Sequence, residues 1–186
     1  MDDNLGNVAL KNLNFRKHRM GSARKPVGRA IIYWGATIMT TEWVIANRTE
    51  KGLVDEAVFF LCYIDEEKYF MLALYLDGAD SAFGVLRCVD AATHGTAEPH
   101  MELTVYANTL RHLFMDGHAT KFGFTRYALQ NVARRRVFFV KGVPRSFGGP
   151  DVLSTSTIQR CMDRMIPWAS LSLATIPSEC PEFDVR

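Results

Sequence analysis

Two apolar runs of eight residues, Ala57–Ile64 and Tyr69–Leu76, stand on either side of the charged tetrapeptide Asp65-Glu66-Glu67-Lys68. No other feature limits the fold so tightly. A run that is apolar at nearly every position needs cover on all sides, and four charged residues between two such runs mark a surface turn. The pattern predicts a hairpin of two central strands with both faces covered. Each run is far shorter than the roughly twenty apolar residues that cross a bilayer, so no transmembrane segment is expected.

The segments around this pair read mainly as strand. Ala30–Met39, Trp43–Ala46, Phe83–Val89, Glu102–Tyr106, Val137–Val140 and Trp168–Ile176 are short and rich in aromatic or β-branched residues, or alternate. Asn47–Gly52, Asp77–Ser81 and Ala91–Pro99 read as turns or loops. Helical signals come later. Asn108 can cap a short helix carrying Leu110, Leu113 and Phe114, with Gly117 at its end. Thr125–Arg135 reads as a second helix and Asp151–Met165 as a third, stopped by Pro167. Gly142–Pro150, with three Gly and two Pro, reads as an exposed loop.

This order predicts an α+β fold. The expectation is one globular domain over 29–186 with a mainly antiparallel β-sheet and helices concentrated in the C-terminal half. A flexible basic N-terminal arm over 1–28 precedes it, within which Leu5, Ala9 and Leu13 recur at helical spacing. The length of 186 residues and a hydrophobic content of 48% are enough for a real core. The four cysteines show no CxxC, and no apolar leader opens the chain, so a reducing, cytoplasmic location (host cytoplasm or virion interior, for a viral protein) is expected.

Charge is segregated along the chain. Lys11, Arg16, Lys17, Arg19, Arg24, Lys25 and Arg29 form a block of seven bases with no acid. Residues 50–116 then hold twelve acids against four bases. Lys121, Arg126, Arg134, Arg135, Arg136, Lys141 and Arg145 form a second block of seven bases, again with no acid. These fourteen residues are the candidate polyanion-binding set. Blocks of one sign attract nucleic acid, an acidic membrane face or an acidic protein. They also allow one subunit's acidic face to meet the basic face of the next. Folding that sets the blocks side by side would cancel them instead. Tyr127, Phe138, Phe139 and Phe147 interleave with the second block, and aromatic platforms beside guanidinium groups are the means of holding single strands.

Catalytic motifs fail one by one. His100-Met101-Glu102 matches half of a zinc-deaminase signature whose cysteine half is missing. His112, Asp116 and His118 could gather around a metal, but H-x5-H is not an established ligand spacing. There is no G-x-S-x-G elbow, P-loop or G-x-G-x-x-G. The Gly142–Gly149 loop could cradle a phosphate through backbone N–H groups. The carboxylate pairs Asp55/Glu56, Asp65–Glu67 and Asp77/Asp80 fall at expected turns, where acids are ordinarily solvated.

The sequence therefore points to a non-enzymatic assembly protein, with no cofactor or metal, that binds a polyanion and itself. RNA, a ribonucleoprotein or a peripheral acidic membrane is its expected partner. A basic arm before a single β-rich domain is also the layout of small viral coat and matrix proteins. A small enzyme built from His112, Asp116, His118 and the Gly142–Gly149 loop is the first alternative. An adaptor that recruits a protein through its arm is the second.

Overall fold

A computed structural model describes residues 24–90 and 97–179, with side chains described for 24–85 and 101–176. The fold is mostly helical, with one small antiparallel sheet. In chain order the elements are α1 (Arg24–Ile32), α2 (Trp34–Asn47), α3 (Lys51–Tyr63), α4 (Glu66–Asp90) and α5 (Ala97–Leu110). A π-helical turn (Arg111–Met115) and a 3-10 turn (Ala119–Lys121) lead into α6 (Gly123–Val132), then β1 (Arg136–Val140), β2 (Val143–Phe147) and α7 (Thr155–Glu179).

The coarse α+β expectation stands, but the mainly antiparallel sheet does not: β1 and β2 are the only strands among the described residues. Helices run through both halves of the chain and are not concentrated in the second. The two apolar runs are the ends and beginnings of helices α3 and α4. Their burial follows a helical period, with Ala57 and Leu61 inside on α3, and Tyr69, Phe70, Ala73, Leu74 and Asp77 inside on α4. Asp65 is the start signal that the hairpin reading overlooked. Its carboxylate accepts the Lys68 backbone N–H at 2.8 Å, as an N-cap does.

The same correction applies elsewhere. Ala30–Met39 spans α1 and α2, where Ile31, Trp34 and Ile38 are buried at spacings of three and four. Trp43–Ala46 belongs to α2, Phe83–Val89 to α4, Glu102–Tyr106 to α5 and Trp168–Ile176 to α7. Asp77–Ser81, read as a turn, lies inside α4. Pro167 does not stop α7, because it is exposed and water can serve the carbonyl it leaves unbonded. Asn108 lies in the last turn of α5 and does not start a helix. Val137–Val140 is strand as expected, whereas Gly142–Pro150 holds β2.

The described residues divide into two compact units, one drawn from 24–70 with Tyr127–Ser154, the other from the described residues of 71–126 with 155–179. In the first, Trp34 is the centre of an aromatic cluster. Its ring lies 4.3 Å from Tyr69, 5.0 Å from Phe147 and 5.9 Å from Phe60, centroid to centroid. The sheet is a tight hairpin in which Val140 faces Val143 and Arg136 faces Phe147. Its two turn residues, Lys141 and Gly142, both have positive φ (+50° and +79°), as a type I′ connection requires.

In the second unit, Ala107 of α5 and Ile176 of α7 pack together with Leu103, Tyr106 and Leu173. Phe114 meets Trp168 edge to face at 6.1 Å. Gly78 is what lets Trp168 approach α4, since a Cβ there would fall 2.6 Å from the indole ring.

Candidate functional site

The basic residues of the second block occupy unlike environments. Arg134, Arg135, Lys141 and Arg145 are exposed, on the approach to β1, at the hairpin tip and in β2. Arg136 is half-buried and committed inward. Its guanidinium donates to the Asn131 carbonyl at 2.9 Å and to Asn131 Oδ1 at 3.2 Å. Burial lowers its pKa, and Arg134 lowers it further, while Tyr69 works in the opposite direction. Lys121 and Arg126 are exposed in the other unit. From the first block, Arg24 is half-buried while Lys25 and Arg29 are exposed, all on α1. Lys11, Arg16, Lys17 and Arg19 lie outside the described residues, as do the helical spacing at Leu5–Leu13 and the side chain of His100.

The interleaved aromatics separate in the same way. Phe138 and Phe147 are core residues, whereas Phe139 and Tyr127 are about half exposed, at 51% and 46%. Strand alternation produces this split: Phe138 and Val140 turn inward, Val137 and Phe139 outward.

The hairpin is held by bonds from distant helices that sequence spacing could not reveal. Glu42 of α2 accepts the Phe139 N–H at 3.0 Å, and Glu66 of α4 accepts the Gly148 N–H at 2.6 Å. Ile31 presents its carbonyl to two donors, the Tyr69 hydroxyl at 2.7 Å and the Asn131 amide at 2.9 Å. The Asn131 amide also donates to the Tyr69 oxygen at 3.1 Å. Burial pushes the Tyr69 hydroxyl well above its ordinary pKa, with Asn131 and Arg136 pulling it down less strongly.

The acids read as solvated pairs also divide. Asp55 and Glu56 are exposed. Asp77 is buried and caps α6 from another helix, accepting the Phe124 N–H at 2.7 Å and the Thr125 N–H at 2.8 Å. Burial raises its pKa, while the two N–H donors act against that. Gly123, at φ +58°, is the residue that leaves room: a Cβ there would overlap Asp77 Oδ1. Asp77 also lines an open groove of about 280 Å³ with Asp80, Thr109, Leu113 and Phe122. Asp65 is held below its ordinary pKa: burial pushes it up, but the Lys68 ammonium at 2.6 Å outweighs that.

His112, Asp116 and His118 do come together, each offering a ligand atom within 4.8 Å of the others. The two imidazole Nδ1 atoms are 3.2 Å apart, and His112 Nδ1 is 3.9 Å from Asp116 Oδ2. The π turn and Gly117 bring this about. Asp116 N–H bonds back five residues to the Arg111 carbonyl at 2.9 Å, and His118 N–H bonds back six residues to the His112 carbonyl at 3.3 Å. Gly117 supplies the φ of +71° at which the chain reverses. The Gly142–Gly149 loop belongs to the other unit. No described helix is long and apolar enough to cross a membrane. No protein-family model matches the chain, and neither a curated protein nor a solved structure is significantly similar to it.

Proposed function

We propose that this chain is a non-enzymatic assembly protein that binds RNA through its basic hairpin and associates with itself. The observation that carries the reading is Lys141. A lysine occupies the hairpin tip at φ +50°, where glycine or asparagine would sit with less strain. Strain tolerated at an exposed tip is an argument for what that side chain does there. Arg134, Arg135 and Arg145 are exposed along the same hairpin, and half-exposed Phe139 offers a ring on which a base can stack. That ring favours single-stranded RNA over a lipid surface. A viral matrix or coat role fits the charge, although a helical interior removes the β-rich half of that analogy.

Self-association rests on apolar surface. Phe59 and Tyr63, 66% and 57% exposed, stack at 5.3 Å on the outside of α3. A second copy would cover such a pair.

The test is salt dependence. Anisotropy of a labelled single-stranded RNA should show binding at low salt that weakens steeply as salt rises. Replacing Arg134, Arg135, Lys141 and Arg145 by Gln should lower the slope of log K against log salt by about 3, since each neutralised phosphate of a single strand contributes roughly 0.7. Light scattering on the same samples reads self-association. Binding that is absent at low salt, or that ignores salt, removes the RNA reading. Binding to anionic vesicles in its place would move the proposal to a membrane surface.

A further inference from the structure

We infer that His112, Asp116 and His118 form a surface site for one divalent transition-metal ion of the zinc class. Imidazole nitrogen and carboxylate oxygen together are a donor set that zinc accepts. The geometry supports it independently. A zinc ion with bonds of about 2.0–2.1 Å to two ligands in a tetrahedron sets those atoms about 3.3 Å apart. The two Nδ1 atoms stand 3.2 Å apart, facing each other. Asp116 Oδ2, at 3.9 Å from His112 Nδ1, belongs to a side chain that is 59% exposed and can turn through the remaining distance. Among the described residues no other group of three such side chains gathers in this way.

Without a cation, two facing imidazole nitrogens can share only one proton, which leaves Asp116 outside the bond. A metal takes a lone pair from all three. The backbone already holds the reversal that this requires, through the π turn, the His118-to-His112 bond and the positive φ of Gly117. The ring of Phe122, 5.6 Å from that of His112, flanks the site on one side. His112 and Asp116 remain about half exposed, so three protein ligands leave coordination positions open to water. The ion would tie the end of the π turn to the segment after Gly117.

The experiment titrates zinc chloride into the full-length, untagged, chelator-treated chain by calorimetry, with cobalt absorption reporting the ligand geometry. One ion per chain is expected. H112Q and H118Q should each weaken binding roughly tenfold or more, as loss of a ligand should cost at least what loss of a supporting partner does. D116N, at an exposed position that leaves the fold intact, should also weaken it and shift the cobalt bands. Far-UV circular dichroism checks that each variant stays folded. Zinc bound equally well by the folded H112Q/H118Q double variant, or no zinc bound by the wild type, overturns the assignment.

Discussion

Tyr69 and Asp77 stand about two turns apart on α4, and each anchors a different unit by opposite chemistry. Tyr69 works as a neutral group. Its hydroxyl donates to the Ile31 carbonyl and accepts from Asn131, which in turn holds Arg136 at the base of the hairpin. Asp77 answers two N–H groups at the start of α6, a helix end that favours negative charge. The network around that neutral hydroxyl spreads over four residues from four elements, with Ile31, Asn131 and Arg136 beside Tyr69, and it offers the Ile31 carbonyl a second donor. The carboxylate is a single point on which a helix start depends. The tyrosine also fills volume in an aromatic cluster, so the largest effects belong to the first region.

Tyr69→Ala should destabilise the chain by about 4 kcal/mol, in the range found for large aromatic truncations in cores. Tyr69→Phe keeps the ring and leaves the Ile31 carbonyl its bond from Asn131, so it should cost only about 1 kcal/mol. Denaturant unfolding measures both. The same residue sets a pH limit. Its pKa is raised in the fold, so the folded state keeps a proton that the unfolded chain gives up from about pH 10. Stability from this group is complete below that pH and is lost as pH rises through the folded value. Tyr69→Phe should lose less stability than wild type over that alkaline window. Equal losses would show that the network does not depend on a neutral hydroxyl.

Asp77→Ala should cost about 2 kcal/mol, the upper range for loss of a helix cap, since it leaves two N–H groups without an acceptor. Gly123→Ala tests the same point from the other side. It forces a Cβ onto Asp77 Oδ1 at a φ that L-residues resist, and should cost about 2 kcal/mol. The double variant should cost clearly less than the sum, because both changes break one contact. Full additivity would break the comparison, by showing that Gly123 matters only for its backbone.

How much of this was legible depends on how far the partners lie apart in sequence. Val137–Val140 was readable as strand because a short run of β-branched and aromatic residues is a local signal. The acid-free block named Arg134, Arg135, Arg136 and Lys141 alike, and nothing local to the sequence set the inward Arg136 apart from its exposed neighbours. The α3 and α4 runs misled because eight apolar residues fit a buried strand or a helix equally well, and the deciding cap, Asp65, also looks like a turn residue. Asp77 meets Phe124 across 47 positions, and no pattern in the chain announces that. The convergence of His112 and His118 depends on one π turn and the sign of φ at Gly117. A spacing rule built on regular helices does not contain it.

The smallest effect bears on why the first region carries a strained residue at all. Lys141 can hold φ +50° because everything around it is fixed: Phe138, Val140 and Phe147 are buried, and Glu42 and Glu66 hold the strand backbones. Lys141→Asn keeps the turn and relieves the strain, since asparagine visits that conformation more readily. It should raise stability by about 0.5–1 kcal/mol. At the same time it removes a charge from the tip, so the salt slope of RNA binding should fall by roughly 0.7. The two measurements should thus move in opposite senses, a tighter fold with a weaker grip. If Lys141→Asn stabilises the fold and leaves RNA binding untouched, the tip lysine carries no contact. If it destabilises the hairpin, the strain was misjudged and Lys141 belongs with the structural network beside Arg136.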